Sequence, residues 1–295
     1  MIKLFFYMVI CVFVCACSQH SESMDKHWKK LEQSMDSSIS KNYYMLSLSS
    51  NGCNFKIYIN DIRVTWYDGT GGRTGSIPIN FNILRSGIQK IKVKLYPVKG
   101  HEDKGINSKH PLRLAIKYKS DPNLGLDDFI TLQEDIIPEI EEGTPYFEYE
   151  TTFNATVPYR LEGWSKCQDL REKNNIKELV IEKYQEIGNL MVNEKFDKLR
   201  ELISFKCTEA HFANYLPFDE YNMEIDEWIE NFKGFETVDV MDDYELVFFN
   251  DGKLVALLNP LTQAEGFLIR GGGYEWGQFV ILGMRQGSNE LEIIR

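Results

Sequence analysis

From Tyr43 onward the chain alternates apolar and polar residues in short runs, each closed by Gly, Asn, Asp or Pro. YYMLSLSS (43–50), NFKIYIND (54–61), IRVTWYDG (62–69) and IQKIKVKLYPV (88–98) all follow a two-residue period. That period puts successive side chains on opposite faces, so each run predicts a strand with one face turned to a core. Phe55, Ile57 and Ile59 form one inward row, and Ile88, Ile91, Val93 and Leu95 a second. After a polar loop around residues 99–110, PLRLAIKYKS (111–120), TPYFEYETTFNA (144–155) and VPYRLEGW (157–164) continue in the same style. Short strands separated by turn signals at this spacing predict an all-β antiparallel sandwich over residues 43–163, with a barrel as the competing architecture.

Past Gly163 the period lengthens. Ile176, Leu179, Val180, Tyr184, Ile187, Leu190 and Met191 fall on one helical face, and Asn193-Glu194 breaks the pattern. Phe196, Leu199, Leu202 and Ile203 begin a second helix. Ile225, Trp228, Ile229 and Phe232 mark a third, with Gly234 as its stop. YELVFFNDGKLVALLNP (244–260) then predicts a hairpin turning at Asn250-Asp251-Gly252, residue types that accept positive φ. GFLIRGGG (266–273), GQFVILGMRQ (277–286) and ELEIIR (290–295) add three strands. Three helices followed by a curved antiparallel sheet make an α+β domain over residues 170–295. This order of elements resembles the NTF2-like/cystatin-like superfamily, which implies a bent sheet wrapped around a long helix and enclosing a pocket.

The first segment has a different character. Lys3 precedes an apolar stretch from Leu4 to Val14, the length of a signal-peptide core and short of the ~20 residues that span a bilayer as a helix. Val14-Cys15-Ala16-Cys17 resembles the bacterial lipobox. The resemblance implies cleavage after residue 16, lipidation of Cys17, and loss of Cys11 and Cys15 with the signal peptide. Ser18 in the next position resembles lipoproteins sorted to the outer membrane. Residues 17–42 are polar and read as a tether, with Trp28, Leu31 and Met35 at helical spacing within it.

Bulk composition narrows the partners. Hydrophobic residues are 43% and charged residues 26%, as in a folded globular chain. A net charge of -11 leaves no Lys/Arg footprint for nucleic acid, and suits a basic protein partner or a neutral ligand. Cys53, Cys167 and Cys207 remain after processing. In an oxidising compartment one pair of them could bridge, or all three stay buried and free.

No run of residues carries a catalytic signature. The Gly-rich segment 68–75 (DGTGGRTG) lacks the Lys-Ser/Thr pair of a phosphate loop and reads as a mobile hairpin loop. Trp66, Tyr67 and Arg73 beside it form a candidate contact surface. Residues 271–277 (GGGYEWG) read as a second flexible loop. Its Tyr274 and Trp276 either pack on the sheet or flank a pocket mouth and anchor a partner. Neither the five histidines nor His101-Glu102-Asp103 form a metal motif, and no cofactor is expected. Cys207 and His211, with Glu209 between them, would be the one nucleophile–base pairing if helical. The expectation is a lipid-anchored protein of the bacterial cell envelope, acting by binding a protein or envelope ligand. Two alternatives stand beside it: an immunity lipoprotein that neutralises an interbacterial toxin, and an NTF2-like enzyme with a small-molecule pocket.

Overall fold

The computed structural model describes residues 26–107, 109, 112–240, 243–259 and 264–295. Cys17 and the lipobox lie outside them. The fold is mixed and mostly antiparallel, with four sheets among the described residues and three long helices. Two compact units divide it. One holds residues 35–162 and 213–215, and the other residues 26–34, 163–212 and 216–295 among those described.

The first unit is β-rich. Strands β1 (Tyr43–Ser50), β4 (Arg73–Pro78), β6 (Arg113–Lys119) and β7 (Ile130–Gln133) form a sheet in the order β4-β1-β6-β7. Strands β2 (Asn54–Ile59), β3 (Ile62–Tyr67), β5 (Gly87–Tyr96) and β8 (Phe147–Ala155) form another in the order β3-β2-β5-β8. Alternation decides burial on both. Leu46 and Leu48 on β1, Phe55, Ile57 and Ile59 on β2, and Ile91, Val93 and Leu95 on β5 are all buried.

Three expectations need correction in this unit. Ile88 is 71% exposed, because it has the opposite parity to Ile91, and Gln89 takes the inward position instead. The Gly-rich segment is not a hairpin loop: β3 and β4 belong to different sheets, so residues 68–72 cross between them. VPYRLEGW is not a strand. Val157, Tyr159 and Leu161 are buried, as is Pro158 between the first two, but their polar partners come from loops. Val157 exchanges hydrogen bonds with the Ser86 hydroxyl, the Tyr159 hydroxyl donates to the Asn80 carbonyl (3.0 Å), and the Leu161 amide donates to the Leu84 carbonyl (2.8 Å).

The second unit packs helices on strands. Residues 26–33, helix α1, fall within the stretch read as a tether, yet Trp28 and Leu31 are buried there. Trp28 meets Phe212 edge-on at 5.2 Å and Phe218 at 5.0 Å. Helix α2 (Ile176–Val192) buries Ile176, Val180, Tyr184, Ile187, Gly188 and Met191 on one face. Helix α3 (Phe196–Ala213) follows after Glu194 at positive φ, and α4 (Phe218–Glu230) starts after Pro217, seven residues before Ile225, the first of the predicted apolar positions.

The strands of this unit make two sheets, not one curved sheet. Strands β10 (Glu245–Phe249), β11 (Leu254–Leu258), β14 (Leu282–Met284) and β15 (Leu291–Ile293) pair in the order β10-β11-β14-β15. Strands β9 (Thr237–Asp239), β12 (Gly266–Gly271) and β13 (Tyr274–Phe279) pair in the order β13-β12-β9. One bridge, Leu258 to Glu265, links them. The run GQFVILGMRQ is divided between β13 and β14, and so contributes to both sheets.

Helix α2 lies against β9, β11 and β12. Gly188 allows this approach, since a Cβ there would fall 2.4 Å from a Val238 methyl. The buried Tyr184 hydroxyl donates to the Val280 carbonyl at 2.6 Å, which satisfies both groups.

Inside the unit, the Glu209 carboxylate is fully buried and pairs with Arg295 at 3.1 Å. It also accepts the Gly163 amide at 3.0 Å. Removing one partner of such a pair strands a buried charge. Glu209→Ala should therefore lower stability by about 3–5 kcal/mol, measured by urea unfolding. The double variant Glu209→Leu/Arg295→Met should recover most of that loss.

Candidate functional site

The sequence-named aromatics fall into two separate groups. Trp66, Tyr67 and Arg73 come together where β3 leaves its sheet. Arg63 stacks over the Trp66 ring at 4.4 Å, and Arg73 Nη1 donates to the Trp66 carbonyl at 2.8 Å. The Tyr67 hydroxyl accepts the Gly71 amide at 3.1 Å, and Asn54 Oδ1 accepts the Gly69 amide at 3.0 Å. A Cβ on Gly72 would lie 2.5 Å from the Ser50 carbonyl oxygen. These groups fold the crossing loop onto itself, and Trp66 is left partly exposed on its surface.

Tyr274 and Trp276 sit on β13 and not in a flexible loop. The turn before them is only Gly272-Gly273, both at positive φ, which is the geometry a two-residue hairpin requires. Tyr274, Trp276, Gln278 and Val280 share one face, and burial increases along it. Tyr274 is 75% exposed, Trp276 is partly buried, and Gln278 and Val280 are enclosed. Trp276 packs against Phe232 (5.4 Å) and Phe235 (6.1 Å), and Phe232 meets Trp228 edge-on at 4.5 Å.

Trp276 also lines a pocket of about 520 Å³ within this unit. Helices α2, α3 and α4 supply Ile187, Met191, Ile203 and Trp228, and β13, Val280 just beyond it, and Ile293 of β15 supply the opposite wall. Among the described residues, four polar groups interrupt this lining: Lys206, Cys207, His211 and Gln278. Cys207 and His211, four residues apart, share one face of α3, and Lys206 lies about 100° round from Cys207 at the edge of that face. A volume of this size with few polar groups on apolar walls is typical of small-molecule sites.

The chemistry of those groups differs from the nucleophile–base pairing that the sequence suggests. His211 Nδ1 lies 3.0 Å from the Cys207 carbonyl, so its ring donates to the backbone of its own helix. Glu209 faces away and is engaged by Arg295. Burial pushes the Cys207 thiol up to about 11, which makes it a poor nucleophile at neutral pH. Burial likewise holds Lys206 below the ordinary lysine range, with the Arg295 cation adding a smaller push in the same direction. Among the described residues, Cys53, Cys167 and Cys207 form no disulfide. Among the described residues no group of His, Cys, Asp and Glu is placed to hold a metal ion. No described helix is long and apolar enough to cross a membrane.

Pattern reading did not single out Lys206, Trp228 or Gln278 as site residues. Trp228 carries the helical periodicity of a core position. Lys206 and Gln278 are polar residues in amphipathic elements, and only the packing of α3 against β13 shows that they face inward. Comparison with protein-family models, curated proteins and solved structures yields no match to this chain.

The two β13 aromatics should separate cleanly on substitution. Trp276→Ala removes a ring wedged against Phe232 and Phe235 and should cost about 3 kcal/mol in urea unfolding. Tyr274→Ala should change stability by less than about 0.5 kcal/mol, as expected of an exposed side chain.

Proposed function

We propose that this is a lipid-anchored protein of a bacterial cell envelope, tethered through Cys17 and sorted to the outer membrane, that works by binding a ligand. The pocket lined by Trp228 and Trp276 is the observation that carries the binding role. Its walls are largely apolar, its lining among the described residues includes no carboxylate, and its histidine is engaged by its own helix. Those features suit holding a molecule better than transforming one.

The finer architecture belongs to the same proposal. Two four-stranded antiparallel sheets, each with an apolar buried row and joined by the 68–72 crossing, support a β-sandwich over residues 43–163. A long helix laid on antiparallel strands, with a pocket beside it, supports an α+β domain of NTF2-like plan over residues 170–295. For the anchor, the support is the apolar run ending in Val14-Cys15-Ala16-Cys17. Acyl chains on Cys17 would hold the protein at the membrane far more firmly than one chain, whose binding is marginal.

Anchor and pocket are tested separately. Metabolic labelling with a tagged fatty acid should mark the wild type and leave Cys17→Ala unmarked; equal labelling of both removes the anchor. The neutral dye Nile red should occupy one saturable site per chain, and Ile203→Trp, which fills the pocket, should abolish that site. A dye that binds neither saturably nor differently in the variant removes the pocket reading.

A further inference from the structure

The pocket contains two polar groups whose needs the protein itself leaves unmet. Lys206 Nζ donates to the Phe279 carbonyl at 3.1 Å and lies 5.8 Å from the centre of the Phe279 ring. No carboxylate pairs with it among the described residues. That is unexpected in a chain of net charge -11, where acidic side chains outnumber basic ones 44 to 33. An ammonium has three donors, and a single carbonyl satisfies one of them.

The second group is one residue along the strand from that carbonyl. Gln278 lies on the inward face of β13 between Trp276 and Val280, opposite Phe267 of β12. It is only 6% exposed, and its amide nitrogen has no hydrogen-bond partner. An unpaired buried amide is destabilising, and a leucine of similar shape would avoid the penalty. A polar residue kept at such a position makes sense if something else supplies its partner. Apart from Cys207 and His211, the rest of the described lining is apolar, so that partner must carry an acceptor at one end and an apolar body at the other.

We propose that the pocket takes an anionic amphiphile, a small apolar molecule ending in a carboxylate, with its oxygens held by Lys206 and Gln278 and its body against Trp228 and Trp276. The proposal rests on the pocket being a ligand site. A carboxylate supplies both missing interactions at once, a charge for the ammonium and an acceptor for the amide. An alcohol would leave the Lys206 charge uncompensated, and an amine would be repelled by it. The enclosed setting strengthens this choice, because charge–charge attraction is larger where water is excluded.

The test uses the chain from residue 17 onward, made without lipid, so that every described residue is present. Nile red is displaced by dodecanoate, dodecanol or dodecylamine, each kept below its micelle concentration. Dodecanoate should displace the dye at concentrations at least about tenfold lower than dodecanol, a difference of about 1.4 kcal/mol, and dodecylamine should be weakest. Lys206→Met and Gln278→Leu should each weaken dodecanoate about tenfold and leave dodecanol within about threefold, while Lys206→Arg retains the preference. Gln278→Leu should also raise the melting temperature of the ligand-free protein, because it removes an unpaired buried amide. Equal displacement by dodecanoate and dodecanol in the wild type would overturn the anion assignment while leaving the pocket reading intact. Nile red that fails to bind at all overturns the pocket reading itself. The wild-type comparison decides the matter even if a variant does not fold.

Discussion

Three distant stretches of the helix-bearing unit meet at one carboxylate. Glu209, in the last turns of α3, accepts the backbone amide of Gly163 and pairs with the guanidinium of Arg295 just beyond β15. Arg295 in turn lies over the Trp164 ring at 4.9 Å. Taking a carboxylate and a guanidinium out of water costs several kcal/mol per ion, and only close, well-directed partners offset it. The pair is therefore a constraint more than a source of net stability: each element must sit where the charge is matched. It also fixes the rotation of α3. With about 100° per residue, holding Glu209 inward on one side puts Cys207 and His211 about 160° away, toward the pocket, while Lys206, about 60° from Glu209, reaches the pocket from the flank. The site and the ion pair are two faces of one helix orientation.

The pocket wall opposite follows from strand geometry. Because side chains alternate along β13, Trp276, Gln278 and Val280 share a face, and the aromatic contacts of Trp276 with Phe232 and Phe235 anchor the outer end of that face. Helix α2 approaches closely at Gly188 and hydrogen-bonds through Tyr184 to the Val280 carbonyl. Val280 thus joins core to cavity. The apolar groups satisfy packing on their own, while Lys206 and Gln278 depart from what a pure core would select. Local departures of that kind are expected at functional sites and are tolerated because the surrounding core is otherwise well satisfied.

Much of the strand and helix content is legible from periodicity, and the failures have definite causes. Ile88 has the residue type of a core position, but parity along β5 outranks residue type. VPYRLEGW carries apolar residues at 157, 159 and 161 that are all buried, yet burial can be met by an extended coil whose amides bond to loops. The short strands β7 and β9 have too few residues for a period to show, and Ile130 and Leu132 on β7 stay exposed despite their apolar character. The GGGYEWG stretch looks flexible from its glycines, whereas two of them merely make the tight turn and the aromatics continue the strand. Helix α1 could be seen from Trp28, Leu31 and Met35, but nothing in their spacing says that the helix is held against Phe212 and Phe218.

Residue order alone determined where most strands and helices form and which face of each is apolar. These are local properties, set by backbone geometry and by the length of apolar runs. Tertiary structure decided the rest: that β3 and β4 enter different sheets, that the last strands make two sheets, and that Lys206 and Gln278 line one cavity. Pairing partners and cavity walls are contacts between residues far apart in the chain. They depend on which apolar faces meet in three dimensions, and no local period encodes that choice.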